Sequence, residues 1–280
     1  MEISPNGNLA QNISLLTNIS KYRDSDEEIA TEANGKTPRA VFSTPTLHNA
    51  KNIMPEEDSQ TMDTETDQEE QLQDAFDFLS RLPPMPSAPR NKVLPIKTRS
   101  TSRLTLVLDL DETLVHSEAK PISNPDAVIN LIFNGVACNV YTLFRPGMYE
   151  FLHSVSKKFE VVVFTASHKA YASQLLRKID PDRKLIKHRL YRDSCYNLKG
   201  NYIKDLRVLG RDLSEVIIID NSIQAFGYQL DNGIPIVSWF DDPNDCELFN
   251  VHALLIHLLS VPDVRPILRQ TFKLSRFSAQ

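Results

Sequence analysis

The chain has 280 residues, a net charge near −5, 41% hydrophobic and 8% aromatic residues, which suits one good-sized domain plus a tail. Its slightly acidic balance gives no support to general nucleic-acid binding. No apolar run approaches the roughly 20 residues needed to span a bilayer, and no basic region followed by an apolar core opens the chain, so the expectation is a nuclear or cytoplasmic protein without a membrane partner.

The three cysteines, Cys138, Cys195 and Cys246, are far apart and lack metal-type spacing, so they read as reduced thiols filling buried space. Residues 1–97 are rich in Asn, Ser, Thr, Pro, Asp and Glu and too poor in apolar residues to close a core, which predicts a largely disordered tail. Between Lys51 and Arg81 there is no basic residue, and the acids from Glu56 to Asp77 repel one another, as in a solvated linker or a docking tail for a basic partner. Ser4-Pro5, Thr37-Pro38 and Thr44-Pro45 have the form of proline-directed phosphorylation sites, a form common in any such tail. At its end Leu72, Ala75, Phe76, Leu79 and Leu82 recur at helical spacing, predicting a short helix over 71–82 that packs back on the domain. Pro83-Pro84 stops it, and a stiff Pro-rich connector follows to Pro95.

A folded domain over 98–277 opens on Leu104 to Leu108, a run apolar enough to be buried on both faces, which ends abruptly in Asp109, Asp111 and Glu112. Ala127 to Phe133 and Val136 to Phe144 flank Asn134-Gly135, a strong hairpin signal, so an antiparallel ribbon should wall the acids. Arg145-Pro146-Gly147 breaks the ribbon before a helix carrying Met148, Phe151, Leu152 and Val155. Phe159 to Phe164 is a second buried strand, ending in Thr165-Ala166-Ser167, and Lys169 to Ile179 is helical in pattern. Residues 180–209 carry short candidate strands at 185–186, 188–192 and 202–204, read as a small inserted ribbon. Val216 to Ile219 stops on Asp220-Asn221-Ser222, Gly233 to Val237 is a fourth strand, and Cys246 to Leu259 and Val261 to Leu274 read as closing helices. Strands alternating with helices predict an α/β fold, a doubly wound parallel sheet with an antiparallel hairpin and a small β insertion.

In such a sheet ligands bind outside the carboxyl ends of the strands. Three strand ends carry Asp109 with Asp111, then Thr165, then Asp220 with Asn221, and Lys204 lies in the loop before the last of them. Clustered carboxylates with one amide suit Mg²⁺, which takes few protein oxygens and keeps waters and a phosphate. Residues two apart on extended backbone point the same way, so Asp109 and Asp111 can address one substrate. Asp109 suits nucleophilic attack on phosphorus, and Asp111 suits general acid and then general base. Lys204 and Thr165 would stabilise the equatorial oxygens, and the Thr113 hydroxyl would fix the turn. Taken singly, each has a blander reading: Asp-X-Asp as a cap or turn, Lys204 as a surface lysine, Thr165 as a cap, Asp220-Asn221 as a turn.

Asp109-Leu110-Asp111-Glu112-Thr113, Phe164-Thr165-Ala166-Ser167, Gly200 to Leu206 and Ile219-Asp220-Asn221-Ser222 resemble the four motifs of the haloacid dehalogenase superfamily, in the form found in RNA polymerase C-terminal-domain small phosphatases. Gly233 to Phe240 and Asp263-Val264-Arg265-Pro266 resemble the small phosphatase-like branch of that family, and Ile223 stands where relatives often carry Pro. The resemblance implies a Mg²⁺-dependent phosphoserine/phosphothreonine protein phosphatase, a hydrolase with an aspartyl-phosphate intermediate. It implies Asp109 as nucleophile and metal ligand, Asp111 as acid/base with its carbonyl on the metal, Asn221 as third ligand, and Asp220 behind them orienting Lys204. Thr113, Tyr171 and Arg192 would serve substrate binding, Tyr171 as an exposed aromatic of the groove. The implied partner is a phosphoprotein, with the polymerase C-terminal domain as the family's default, for a monomeric enzyme. Two rival readings are a phosphoprotein-binding scaffold that does not need turnover, and a small-molecule phosphatase, which the lack of a large lid segment disfavours.

Overall fold

A computed structural model describes residues 73–87, 92–133 and 136–278. Most of the acidic tail, its Ser-Pro and Thr-Pro dipeptides and the Asn134-Gly135 turn lie outside the described residues.

Five short strands form a parallel sheet in the order β10-β9-β1-β5-β6: β1 (Thr105–Leu108), β5 (Glu160–Phe164), β6 (His188–Leu190), β9 (Val216–Asp220) and β10 (Gly233–Pro235). The Leu, Val and Ile runs of β1, β5 and β9 are buried throughout, as a sheet covered on both faces requires. Leu108 pairs with Val163 on one side and Ile219 on the other, so Asp109, Thr165 and Asp220 leave the sheet at one rim.

Three strands make an antiparallel ribbon beside that rim in the order β2-β4-β3: β2 (Val115–Glu118), β3 (Ala127–Phe133) and β4 (Val136–Phe144). The expected hairpin thus gains Val115–Glu118 as a third strand, which alternates buried and half-buried residues. A two-stranded insertion, β7 (Tyr196–Leu198) with β8 (Asn201–Ile203), delivers the loop of Lys204. His188–Leu190, read from sequence with that insertion, belongs instead to the main sheet, because β5 has a free parallel edge there.

A helix over 73–80, α1, docks through Ala75, Phe76 and Leu79, and Phe76 stacks on Phe277 with centroids 3.6 Å apart. Among the described residues the other α-helices are α2 (Met148–Val155), α3 (Lys169–Ile179), α4 (Glu247–Leu258) and α5 (Arg265–Phe272). The last starts later than the apolar pattern from Val261 suggests, because Asp263 accepts from the Arg265 N–H and Pro266 occupies the first turn. Among the described residues no helix is long and apolar enough to cross a membrane. The cysteines are free, but Cys246 is exposed and Cys138 and Cys195 are half-buried, so only partial filling of space applies to them.

Candidate active site

After Leu108 the chain leaves the sheet while the Asp109 N–H still donates to the Ile219 carbonyl (3.0 Å). Glu112 then turns the chain with φ of 56°, a conformation uncommon for a residue with a side chain. Its N–H donates to the Val115 carbonyl and its own carbonyl accepts from Trp239, so neighbouring backbone holds the turn.

The two aspartates of the turn have different surroundings. Asp109 accepts from the Lys204 ammonium, which also donates to Asp220 at 2.6 Å. Lys204 is only 2% exposed and is therefore no surface lysine. Burial pulls its ammonium down, but the two carboxylates outweigh this and hold it above its ordinary range. Asp220, bonded also to the Ser222 N–H, is pushed up by burial against the pull of Lys204.

Among the described residues Asp111 pairs with no cation. Its Oδ2 accepts from Ser167 Oγ (2.7 Å) and Thr165 Oγ1 (3.3 Å), and its Oδ1 from the Tyr171 hydroxyl (2.8 Å). Burial and then the Asp109 charge push its carboxyl above the usual range, and the three hydroxyls only partly offset this. Burial pushes the adjacent Glu112 up to about 7, and its carboxylate meets His116 Nδ1 at 3.3 Å.

Two of the residues expected to bind substrate need correction. Tyr171 is 6% exposed, because α3 turns Tyr171, Ala172, Leu175, Leu176 and Ile179 inward as one face. Its hydroxyl bridges Asp111 and Ser117 Oγ, so it orients the carboxyl rather than lining a groove as an exposed ring. Burial and Asp111 keep this phenol protonated. Thr113 is wholly buried, its hydroxyl a long 3.5 Å from Asn221 Oδ1, and it too acts from behind the site. Arg192 stays at the rim, donating to the Ala166 carbonyl and to His168 Nε2 (2.9 Å) and lying 4.6 Å over the Tyr202 ring.

Sequence reasoning missed Ser167 and Ser117 as partners of this network, and missed Arg145. The last is buried, donates through Nε and Nη2 to Asp245 at 2.7 Å each, and reaches the Thr113 carbonyl through Nη1 (3.1 Å). It ties the turn after β1 to the loop before α4.

Of the three buried aspartates, Asp109 and Asp220 therefore share the Lys204 ammonium while Asp111 has only hydroxyl partners among the described residues, an imbalance that a divalent cation would relieve. Asn221 Nδ2 donates to Ser238 Oγ (2.9 Å), which fixes the amide and leaves Oδ1 with only the long contact to Thr113. Among the described residues no three His, Cys, Asp or Glu side chains form a metal cage. The Asp109 carboxylate and Asn221 Oδ1 are hard oxygens, whose chemistry suits Mg²⁺ better than zinc.

Residues 104–265 match the family described as NLI interacting factor-like phosphatase. The chain is 51% identical over 205 residues to CTD small phosphatase-like protein 2 of Dictyostelium discoideum, covering 73% of this chain and 36% of that protein. It is 47% identical over 204 residues to CTD small phosphatase-like protein 3 of Caenorhabditis elegans, covering 72% of this chain and 71% of the relative. It thus spans about a third of the first relative's length. Among solved structures, Fcp1, an essential RNA polymerase II CTD phosphatase, aligns with a TM-score of 0.45 and 28% identity over 55% of this chain and 50% of that one. With more than half of its length matched, the chain belongs to the NLI interacting factor-like phosphatase family.

Proposed function

We propose that this chain is a Mg²⁺-dependent phosphoserine/phosphothreonine protein phosphatase that works through an aspartyl-phosphate on Asp109. The observation that carries the reading is the contrast between two buried aspartates two residues apart, one paired with Lys204 and the other held by three neutral hydroxyls with its carboxyl raised. Paired carboxyls in environments that differ in this way divide nucleophilic and acid/base work between them.

In the first displacement an Asp109 oxygen attacks phosphorus and the P–O bond to the seryl or threonyl oxygen breaks. The leaving oxygen takes the proton of Asp111, since an alkoxide alone is a poor leaving group. In the second, water attacks the aspartyl-phosphate, the Asp111 carboxylate accepts its proton, and inorganic phosphate leaves with Asp109 restored. Lys204 supplies positive charge beside the transferring oxygens, while Tyr171, Ser167 and Thr165 keep the Asp111 carboxyl turned to one side. Mg²⁺ held by Asp109, the Asp111 carbonyl and Asn221 would neutralise phosphate charge. The naming of similar proteins as C-terminal-domain phosphatases favours a phosphoprotein over a metabolite.

The test is Mg²⁺-dependent release of phosphate from a phosphoserine peptide. The Asp109→Asn variant is expected to lose it, and undiminished turnover by that variant would sink the mechanism.

A further inference from the structure

The family match begins at residue 104, yet the chain before it is bound to the back of the site. Leu82 forms a small buried cluster with Ile203 and Tyr228, and Ile203 directly precedes Lys204. Leu79 and Leu82 press on Gly227 so closely that a Cβ there would lie 2.8 Å from Leu79 Cδ2 and 3.3 Å from Leu82 Cδ2. Gly227 sits in the 3₁₀ segment Ile223–Asn232, which follows Asp220 and Asn221. That segment accepts the Lys204 N–H on the Ala225 carbonyl (2.6 Å) and the Leu206 N–H on Gln229 Oε1 (3.0 Å).

Past Lys204 the grip continues. Arg207, doubly bonded to the Asp205 carboxylate, donates through Nη1 to the Pro86 carbonyl (3.0 Å). The Lys92 ammonium donates to the Arg207 carbonyl and the Val93 N–H to the Val208 carbonyl, both at 2.9 Å. The described residues from 76 to 93 thus touch the Lys204 loop before and after the lysine, and brace the segment behind it.

We infer that this stretch is a strap that positions Lys204, with Leu79 and Leu82 as its positioning residues. As a role in catalysis it rests on the phosphatase reading. As a mechanical coupling of the pre-domain segment to the Lys204 loop it does not. A lysine that must meet both Asp109 and Asp220 tolerates little displacement, and shifts of about 1 Å can cost on the order of 100-fold in rate.

The test uses the full chain with Gly227→Ala, Leu79→Ala and their combination. Gly227→Ala is expected to lower kcat on a phosphoserine peptide about tenfold with KM nearly unchanged, and adding Leu79→Ala, which removes the clashing methyl, to restore most of it. Hydrogen exchange at the Lys204 and Leu206 amides reads the loop without any turnover. Faster exchange there, with β1 and β5 unchanged, supports the strap even if no substrate is hydrolysed. Wild-type exchange in Gly227→Ala, uniform acceleration across the sheet, or a lower melting temperature with wild-type kcat would each overturn it, since those mark either no coupling or a merely structural contact. Loss of turnover by the wild-type chain itself would count against the phosphatase reading alone.

Discussion

Two buried charged clusters sit at opposite ends of the same parallel strands, and they are built on opposite principles. At the amino end one acid, Glu160, accepts from Thr105 Oγ1 (2.8 Å) and from Arg211 through Nε (2.8 Å) and Nη2 (2.7 Å), meets His188 at 3.2 Å, and lies 3.8 Å from Lys97. Burial alone would raise this carboxyl, but those partners hold it well below the usual range. At the carboxyl end Asp109 and Asp220 share Lys204, Asp111 is held by hydroxyls instead, and burial leaves Asp111 and Asp220 raised. The first cluster is complete and serves stability. The second is short of positive charge, and on that imbalance the proposed binding of Mg²⁺ and a phosphoryl group rests.

The contrast is sharpest at Lys204. Replacing it with Met strips the rim of its direct ammonium, so turnover is expected to fall by about 10³-fold or more, as on losing a central electrostatic group. Stability should fall with it, by about 3–5 kcal/mol in denaturant unfolding, because Asp109 and Asp220 stay buried without a cation. Glu160→Gln is expected to cost a similar amount of stability, leaving Arg211 uncompensated, yet the folded fraction should keep wild-type kcat. Equal losses of activity in the two variants would erase the distinction between the clusters.

Asp111→Asn tests the rim from the other side. It removes a buried acid whose carboxyl is raised, so its melting temperature should match or exceed the wild type by the equivalent of about 1 kcal/mol while phosphate release slows severely. A smaller effect concerns pH. The Glu160 carboxyl is lower in the folded chain than its ordinary 4.5, so its contribution is present above that value and lost as the pH falls below it. Melting scans between about pH 5 and pH 3 should show a steeper acid loss in the wild type than in Glu160→Gln.

The parallel sheet was legible because Leu106 to Leu108, Val161 to Phe164 and Ile217 to Ile219 are uninterrupted apolar runs that stop on polar residues. The same rule brings Asp109, Asp111, Thr165 and Asp220 to one rim. The third ribbon strand was harder to see, since Val115–Glu118 is four residues long and follows the acidic turn without a break. Tyr171 was readable but misread: its spacing with Leu175 and Ile179 marks the buried face of α3, and only attention to that periodicity separates it from an exposed ring. Ser167 and Ser117 carry no signal of their own, being small hydroxyls whose partner lies more than 50 residues away or across a third residue. Arg145 and Asp245 are 100 residues apart, and no local pattern announces such a pair.

The most direct test of the central claim is to quench the protein in acid during turnover of a phosphopeptide labelled on its phosphoryl group, then map the label. The account predicts an acid-stable, alkali-labile label on the peptide carrying Asp109, absent from Asp109→Asn. Turnover without any protein-bound label, or label on a different residue, would contradict it.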